Sequence, residues 1–211
     1  MMERRAFFRL ALAGAGLIAG RRILFSEQQC NTAMPTMTPM GVHPVEVCTV
    51  GIPSMSFKQA YQEMNEWCWA ACISMVFEFY GHPVDQRRIV QETWGVVTDM
   101  PALPPSVLKD LNRKWTDDRG RDFLCRGDVL SVNLNSAIKD LQEGHPLIIG
   151  AAGHATVLTA VTSAVDMTTT QFIVQEVVVR DPWPGSGGRR LLTPMEWASI
   201  NFAVRIRLED A

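Results

Sequence analysis

The stretch "CWAACISMVFEFYG", residues 68–81, is apolar nearly all round and constrains the fold more than any other segment. A helix without a polar face must be covered on every side, so the other elements have to build around it. Gly81 supplies a natural end for that helix. With 211 residues and 47% hydrophobic content, the chain can provide this cover as one domain plus an N-terminal extension.

The remaining segments fall into two groups. "PVDQRRIVQETWG" reads as a second helix capped by Asp85 and ended near Gly95. "PPSVLKDLNRKW" has Leu108, Leu111 and Trp115 on one side of a weaker helical pattern. "VNLNSAIKDLQEGHP" places Leu134, Ile138 and Leu141 at helical spacing, closed by Gly144 and Pro146. After Pro146, "PLIIGAA", "HATVLTAV", "TQFIVQEVVVRD" and "NFAVRIRL" are short β-branched runs that read as strands. Helices first and strands afterwards predict an α+β fold with a cleft between a helical half and a sheet half.

The N-terminus is a separate object. Arg4-Arg5, Phe7-Phe8 and the uncharged run from Leu10 to Gly20 resemble a twin-arginine export signal. That run is too short to span a bilayer and has no polar face that would make it an amphipathic helix. Arg21-Arg22 follow it without a clean cleavage site, so the segment is expected either to be removed or to remain as an anchor. Residues 26–50, with "NTAMPTMTPMGVHP", read as a linker, an opening strand or a short pro-segment. Met34, Met37 and Met40 stand three apart, but in such a Pro/Thr-rich run they carry no metal assignment. The first 25 residues hold five arginines and one glutamate, so the rest has 15 basic and 21 acidic residues, a net of −6. With that balance and no basic stripe, neither nucleic acid nor an anionic membrane surface is an expected partner.

Five cysteines, Cys30, Cys48, Cys68, Cys72 and Cys125, leave at least one free thiol in an exported chain. If Cys68 is that thiol, the other four could form two bridges in any of three pairings. Cys68 stands at the start of the central helix if Asn65 caps it, where the helix dipole and backbone N–H groups favour a thiolate. Cys72, one turn on, suits neither a redox C-x-x-C pair nor a zinc site, and the i,i+4 geometry suits a bridge to Cys68 poorly. It is expected to be buried, or bonded to Cys125 or Cys48. Of four histidines, His43, His82 and His145 sit in a linker, after a helix and in a turn, and read as structural or solvated. His154 opens a strand after a glycine. A hairpin turning within residues 166–169 pairs positions whose numbers sum to 335, which sets His154 opposite Asp181.

"Q-x5-C-W" from Gln62 to Trp69, "GHA" at His154 and "RDPWPG" at Asp181 together resemble the papain-like cysteine peptidases. The likeness runs over roughly residues 50 to 205 and is greatest to compact bacterial members such as the staphopains and certain secreted plant-pathogen effectors. It implies a two-lobed fold with a central Cys-bearing helix in an N-terminal helical half and a C-terminal antiparallel sheet half, spanning residues 51–211. It further implies Cys68 as nucleophile, His154 as its base, Asp181 orienting His154, and Gln62 with the Cys68 N–H as oxyanion donors. Trp183 matches an aromatic that shields the His-to-acid bond.

The expected activity is hydrolysis of peptide bonds in a polypeptide substrate by an exported monomer, without metal or organic cofactor. Membrane contact is expected only if the signal segment is retained. Two rivals use the same residues. A transpeptidase or transamidase would pass the acyl group to an amine, and a binding module would keep the cleft without catalysis.

Overall fold

Nine of the twelve side chains of helix α1 (Cys68–Phe79) are buried, as an apolar helix requires. The cover is visible in a computed structural model that describes residues 26–31, 33–38, 41–57, 61–129, 134–170 and 172–211. The segment resembling an export signal lies outside these residues. Among them, no helix is long and apolar enough to cross a membrane.

Around α1 stand α2 (Gln86–Trp94), α3 (Pro104–Asp110), α4 (Leu134–Gln142) and α5 (Pro194–Ala198). The strands are β1 (Glu27–Cys30), β2 (Met34–Thr38), β3 (Gly41–Gly51), β4 (Lys114–Thr116), β5 (Asp122–Val129), β6 (Leu147–Ala151), β7 (His154–Asp166), β8 (Phe172–Arg180), β9 (Arg189–Leu191) and β10 (Ile200–Asp210). All ten join one sheet along the path β1-β3-β7-β6-β10-β5-β4, with β2 on β3 and the β8-β9 pair branching from β7. Every pairing is antiparallel. The α+β expectation, with a Cys-bearing helix packed on an antiparallel sheet, matches this architecture.

Local chemistry sets several boundaries. Asp85 caps α2 by accepting the Arg87 N–H at 2.8 Å, and Gly95 ends it at φ 76°, where a side chain would be strained. Phe77 projects from α1 between Trp115 and Phe123, with ring centroids 5.5 and 5.1 Å away in edge-on contact. Trp115 belongs to β4 rather than to the helix its spacing suggested, because α3 ends at Asp110. The tryptophan N–H donates back to the Asp110 carbonyl at 2.7 Å. Gly127 of β5 lets the chain after α3 approach closely, since a Cβ there would lie 2.7 Å from the Leu111 Cβ.

The segment read as a linker or opening strand forms three strands. β3 pairs with β7 from Val45↔Asp166 to Gly51↔Ala160, so residues 41–51 are integral to the sheet. Cys30 faces Cys48 across β1 and β3, and the two are joined in a disulfide. The two-bridge possibility is not realised, because Cys68, Cys72 and Cys125 are all free thiols. Cys72 and Cys125 are buried, and burial pushes both thiols up from their ordinary range.

The three histidines outside the expected site are held by acids or a hydroxyl. His43 bonds Asp166 at 2.6 Å. His82 is buried between Asp117 and Asp210 and stacks on Phe123 at 4.6 Å. His145 meets the Tyr80 hydroxyl at 3.3 Å.

Candidate active site

β7 is the longest strand of the sheet and the one that aims the imidazole. It leaves β6 through a two-residue turn, Ala152-Gly153, with φ values of 51° and 80°. Positive φ at both positions is the pattern of a tight type I′ hairpin, which matches strand twist. His154 is the first residue after the turn and pairs with Ala151. Asp181 follows the last residue of β8, the strand along the other edge of β7.

The expected hairpin register is corrected by the structure. Val165 faces Phe172 rather than Thr170, and two irregularities follow before the ladder ends at Val157↔Arg180. The turn is two residues longer than supposed, because Asp166 organises it by accepting the Thr168 and Thr169 N–H groups. A slip of two keeps side chains on their original face, so His154 and Asp181 become diagonal neighbours instead of a direct pair. The histidine is long enough to close that diagonal. Its Nε2 lies 2.8 Å from Asp181 Oδ1.

Cys68 is the first residue of α1, a position whose N–H has no partner within a helix. Asn65 does not cap this helix. Trp67 is the capping residue, without a side-chain bond, and the Asn65 carbonyl accepts from Gln62 Nε2. Two features hold the helix start. The indole N–H groups of Trp67 and Trp69 donate to the carbonyls of Thr98 and Met100, at 2.8 and 3.2 Å. Gln62, buried at 6% exposure, closes the preceding turn by donating from Nε2 to Met64 O and Asn65 O, at 2.9 and 2.7 Å.

Gln62 is also tied to the acid's loop. Its backbone N–H donates to Pro182 O at 2.8 Å, next to Asp181. The four residues singled out in the sequence thus converge on one place. Both amide hydrogens of Gln62 are directed at the turn, however, and its Oε1 is buried with no partner among the described residues.

His154 and Asp181 form an ion pair. Burial alone would push His154 toward the neutral form, but hydrogen bonds to Asp181 and Cys68, with their charges, prevail and raise its pKa from 6.5 to about 9. Burial likewise opposes ionisation of Asp181. The hydrogen bonds from His154, Arg190 and the Trp183 N–H outweigh it and hold the carboxyl at about 2. The folded state therefore binds the His154 proton more tightly than the unfolded chain does. That contribution to stability is whole below about pH 6.5 and is lost as pH rises through about 9.

His154, Asp181, Trp183, Gly185, Ser186 and Arg190 line an open depression of about 450 Å³. Trp183 is half-exposed there, and its backbone N–H donates to Asp181 Oδ1 at 2.8 Å. Asp181, although it directly follows a strand end, is only 3% exposed. Arg190 was not singled out in the sequence. Its Nε lies 2.6 Å from Asp181 Oδ2.

A family model described as the Peptidase_C39 like family matches residues 54–202. No curated protein matches the chain. One similar solved structure is a double glycine motif protease from an AMS/PCAT transporter in complex with the leader peptide. It is 18% identical over 72% of this chain and 91% of that chain, with a TM-score of 0.46. Another is UfSP from C. elegans, 12% identical, covering 92% of this chain but only 36% of that one, with a TM-score of 0.47. The family match runs over more than half of the 211 residues and takes in Gln62, Cys68, His154 and Asp181, so the chain is a cysteine peptidase of the Peptidase_C39 like family.

Proposed function

We propose that this chain is an exported peptidase that cleaves polypeptides through a Cys68 thiolate and a His154 imidazolium, with Asp181 orienting the imidazole. The observation that carries the reading is the placement of His154, bonded on one side to Asp181 and on the other to Cys68, with its proton retained to about pH 9. The thiolate adds to the scissile carbonyl and forms a C–S bond as the carbonyl π pair moves onto oxygen. The Cys68 N–H at the helix start donates to that oxyanion. When the tetrahedral adduct collapses, the C–N bond breaks and His154 protonates the departing amine. Water, deprotonated by His154, then hydrolyses the thioester and releases the acid. Gln62 enters as second oxyanion donor by exchanging one of its turn carbonyls for the substrate oxygen. The compact bacterial style, akin to staphopains and secreted effectors, and export through the arginine-paired N-terminus belong to the same proposal.

Alkylation by a thiol-directed epoxide, followed by mass spectrometry across pH, tests this reading. Opening the epoxide needs both the thiolate and a proton donor, so Cys68 should be modified at neutral pH and the rate should fall as pH rises through about 9. An unmodified Cys68 in folded, reduced protein would overturn it. Product analysis with an added amine separates hydrolysis from acyl transfer, since both start from the same thioester.

Gln62→Ala discriminates between its two roles. A lost oxyanion donor lowers kcat/KM by roughly 10²–10³-fold while epoxide labelling of Cys68, which builds no tetrahedral adduct at a carbonyl and whose oxygen is protonated by His154, stays fast. If labelling falls in parallel with hydrolysis, Gln62 only shapes the turn before α1.

A further inference from the structure

The catalytic reading ends at Asp181, but the chain of fixed charges does not. Asp181 Oδ1 accepts from His154 and from the Trp183 N–H, while Oδ2 accepts from Arg190 Nε at 2.6 Å. Arg190 is the middle residue of β9 and pairs with Val179 of β8, so its backbone is registered to the strand that delivers Asp181. The far side of its guanidinium is gripped as well. Nη2 donates to Glu196 Oε1 at 2.7 Å and Nη1 to Glu196 Oε2 at 3.1 Å, a bidentate fork.

Glu196 is fixed in turn by the start of α5. It forms a reciprocal capping box with Thr193, whose N–H and hydroxyl both reach Glu196 Oε2, at 2.8 and 2.9 Å. The Arg190 bonds, first, and the Thr193 bonds hold the Glu196 carboxyl at about 2. A five-residue helix thus anchors one carboxylate, which anchors one guanidinium, which faces the acid behind the imidazole.

We propose that Arg190, clamped by Glu196, is a positioning residue for the reaction: it fixes the rotation of the Asp181 carboxylate and through it the aim of His154. Charge alone does not account for the arrangement, because the imidazolium and the Trp183 N–H also favour the ionised carboxyl. Orientation does. A carboxylate held at Oδ1 turns about its Cα–Cβ and Cβ–Cγ bonds more freely than one whose Oδ2 is also bonded to a guanidinium that is itself fixed by its fork on Glu196. The inference rests on the Cys68–His154–Asp181 reading and extends it by one residue that never meets the substrate's reacting atoms.

A mutant cycle on the full chain tests it. Arg190→Met should lower kcat roughly 10–100-fold with KM within about threefold, the size expected when a reacting group loses its aim. Arg190→Lys keeps the charge but not the fork, and should behave like Arg190→Met. In an Asp181→Ala background, Arg190→Met should change kcat by less than about threefold, because nothing remains to be positioned. Should Asp181→Ala not fold, Asp181→Asn serves, since an amide N–H turned toward the guanidinium also breaks the bond. Equal losses in both backgrounds, or full activity in Arg190→Lys, would overturn the positioning role. Cys68→Ala run alongside keeps the two readings apart. If it retains activity, the catalytic assignment itself fails, whatever Arg190 does.

Discussion

Cys68→Ala should lower kcat/KM by roughly 10⁵–10⁶-fold, the loss typical of removing a nucleophile from a set of residues that act as a unit. The fold should survive. Cys68 is only partly buried, and the side chains packing α1 begin at Trp69. A cost below about 1 kcal/mol, or a Tm shift of no more than about 4 °C, is expected. The same variant should bring the His154 pKa down from about 9, since one of the two hydrogen bonds that raise it is gone. Histidine titration by NMR reads that shift directly. Peptide hydrolysis at the wild-type rate by Cys68→Ala would end the assignment.

Asp181→Ala should damage both turnover and stability, and the reason is its burial. At 3% exposure its carboxylate joins β7, through His154, to the loop after Asp181, through the Trp183 N–H, and to β9, through Arg190. Alanine leaves a buried guanidinium edge and a backbone donor without this acceptor. Arg190 keeps Glu196 and its side chain is about a quarter open, so the cost should fall short of that for a fully buried pair, at about 2–3 kcal/mol. For a chain of this size that corresponds to a Tm lowered by roughly 5–10 °C. Turnover should drop about 10²–10⁴-fold, as an unoriented imidazole spends less time in the productive geometry. Unchanged Tm would show that the loop holds without the carboxylate. Unchanged turnover would remove Asp181 from the mechanism.

How much of this was legible depended on whether the signal was local. Asp85 and Gly95 bracket α2 by cap chemistry that lies within the segment itself, so both ends could be read. The α1 core face was equally plain, since no other arrangement hides "CWAACISMVFEF". β5 could have been found, because Phe123, Cys125 and Gly127 are buried in strict alternation. Trp115 went to the wrong element because its spacing from Leu111 fits a helix turn equally well. The strands in residues 27–51 had no readable period, since β3 is placed by its ladder with β7, and β1 and β2 by theirs with β3, rather than by their own composition.

The site divides in the same way. Gln62, Cys68, His154 and Asp181 could be picked out by their flanking residues, and the structure gathers them. The pairing register was off by two, because the turn after Asp166 is set by side-chain acceptance that a residue count does not reveal. Face parity rescued the inference. Arg190 and Glu196 escaped notice for different reasons. "TPME" at residues 193–196 is a capping box with proline at the first helical position, and so was readable. Arg190, in "GGRRLL", has nothing to distinguish it from a solvated charge until β9 is registered on β8.

β7 is hydrogen-bonded to β6 through its first five residues, to β3 through its last seven, and to β8 along the opposite edge. A residue inserted or deleted within it would throw three ladders out of step at once and turn the imidazole to the other face of the sheet. The distance in sequence from His154 to Asp166 is therefore frozen. The connection after Asp166 and the loop between Asp181 and β9 carry no such constraint. Related chains should vary in length at those two connections while the thirteen-residue span of β7 stays constant.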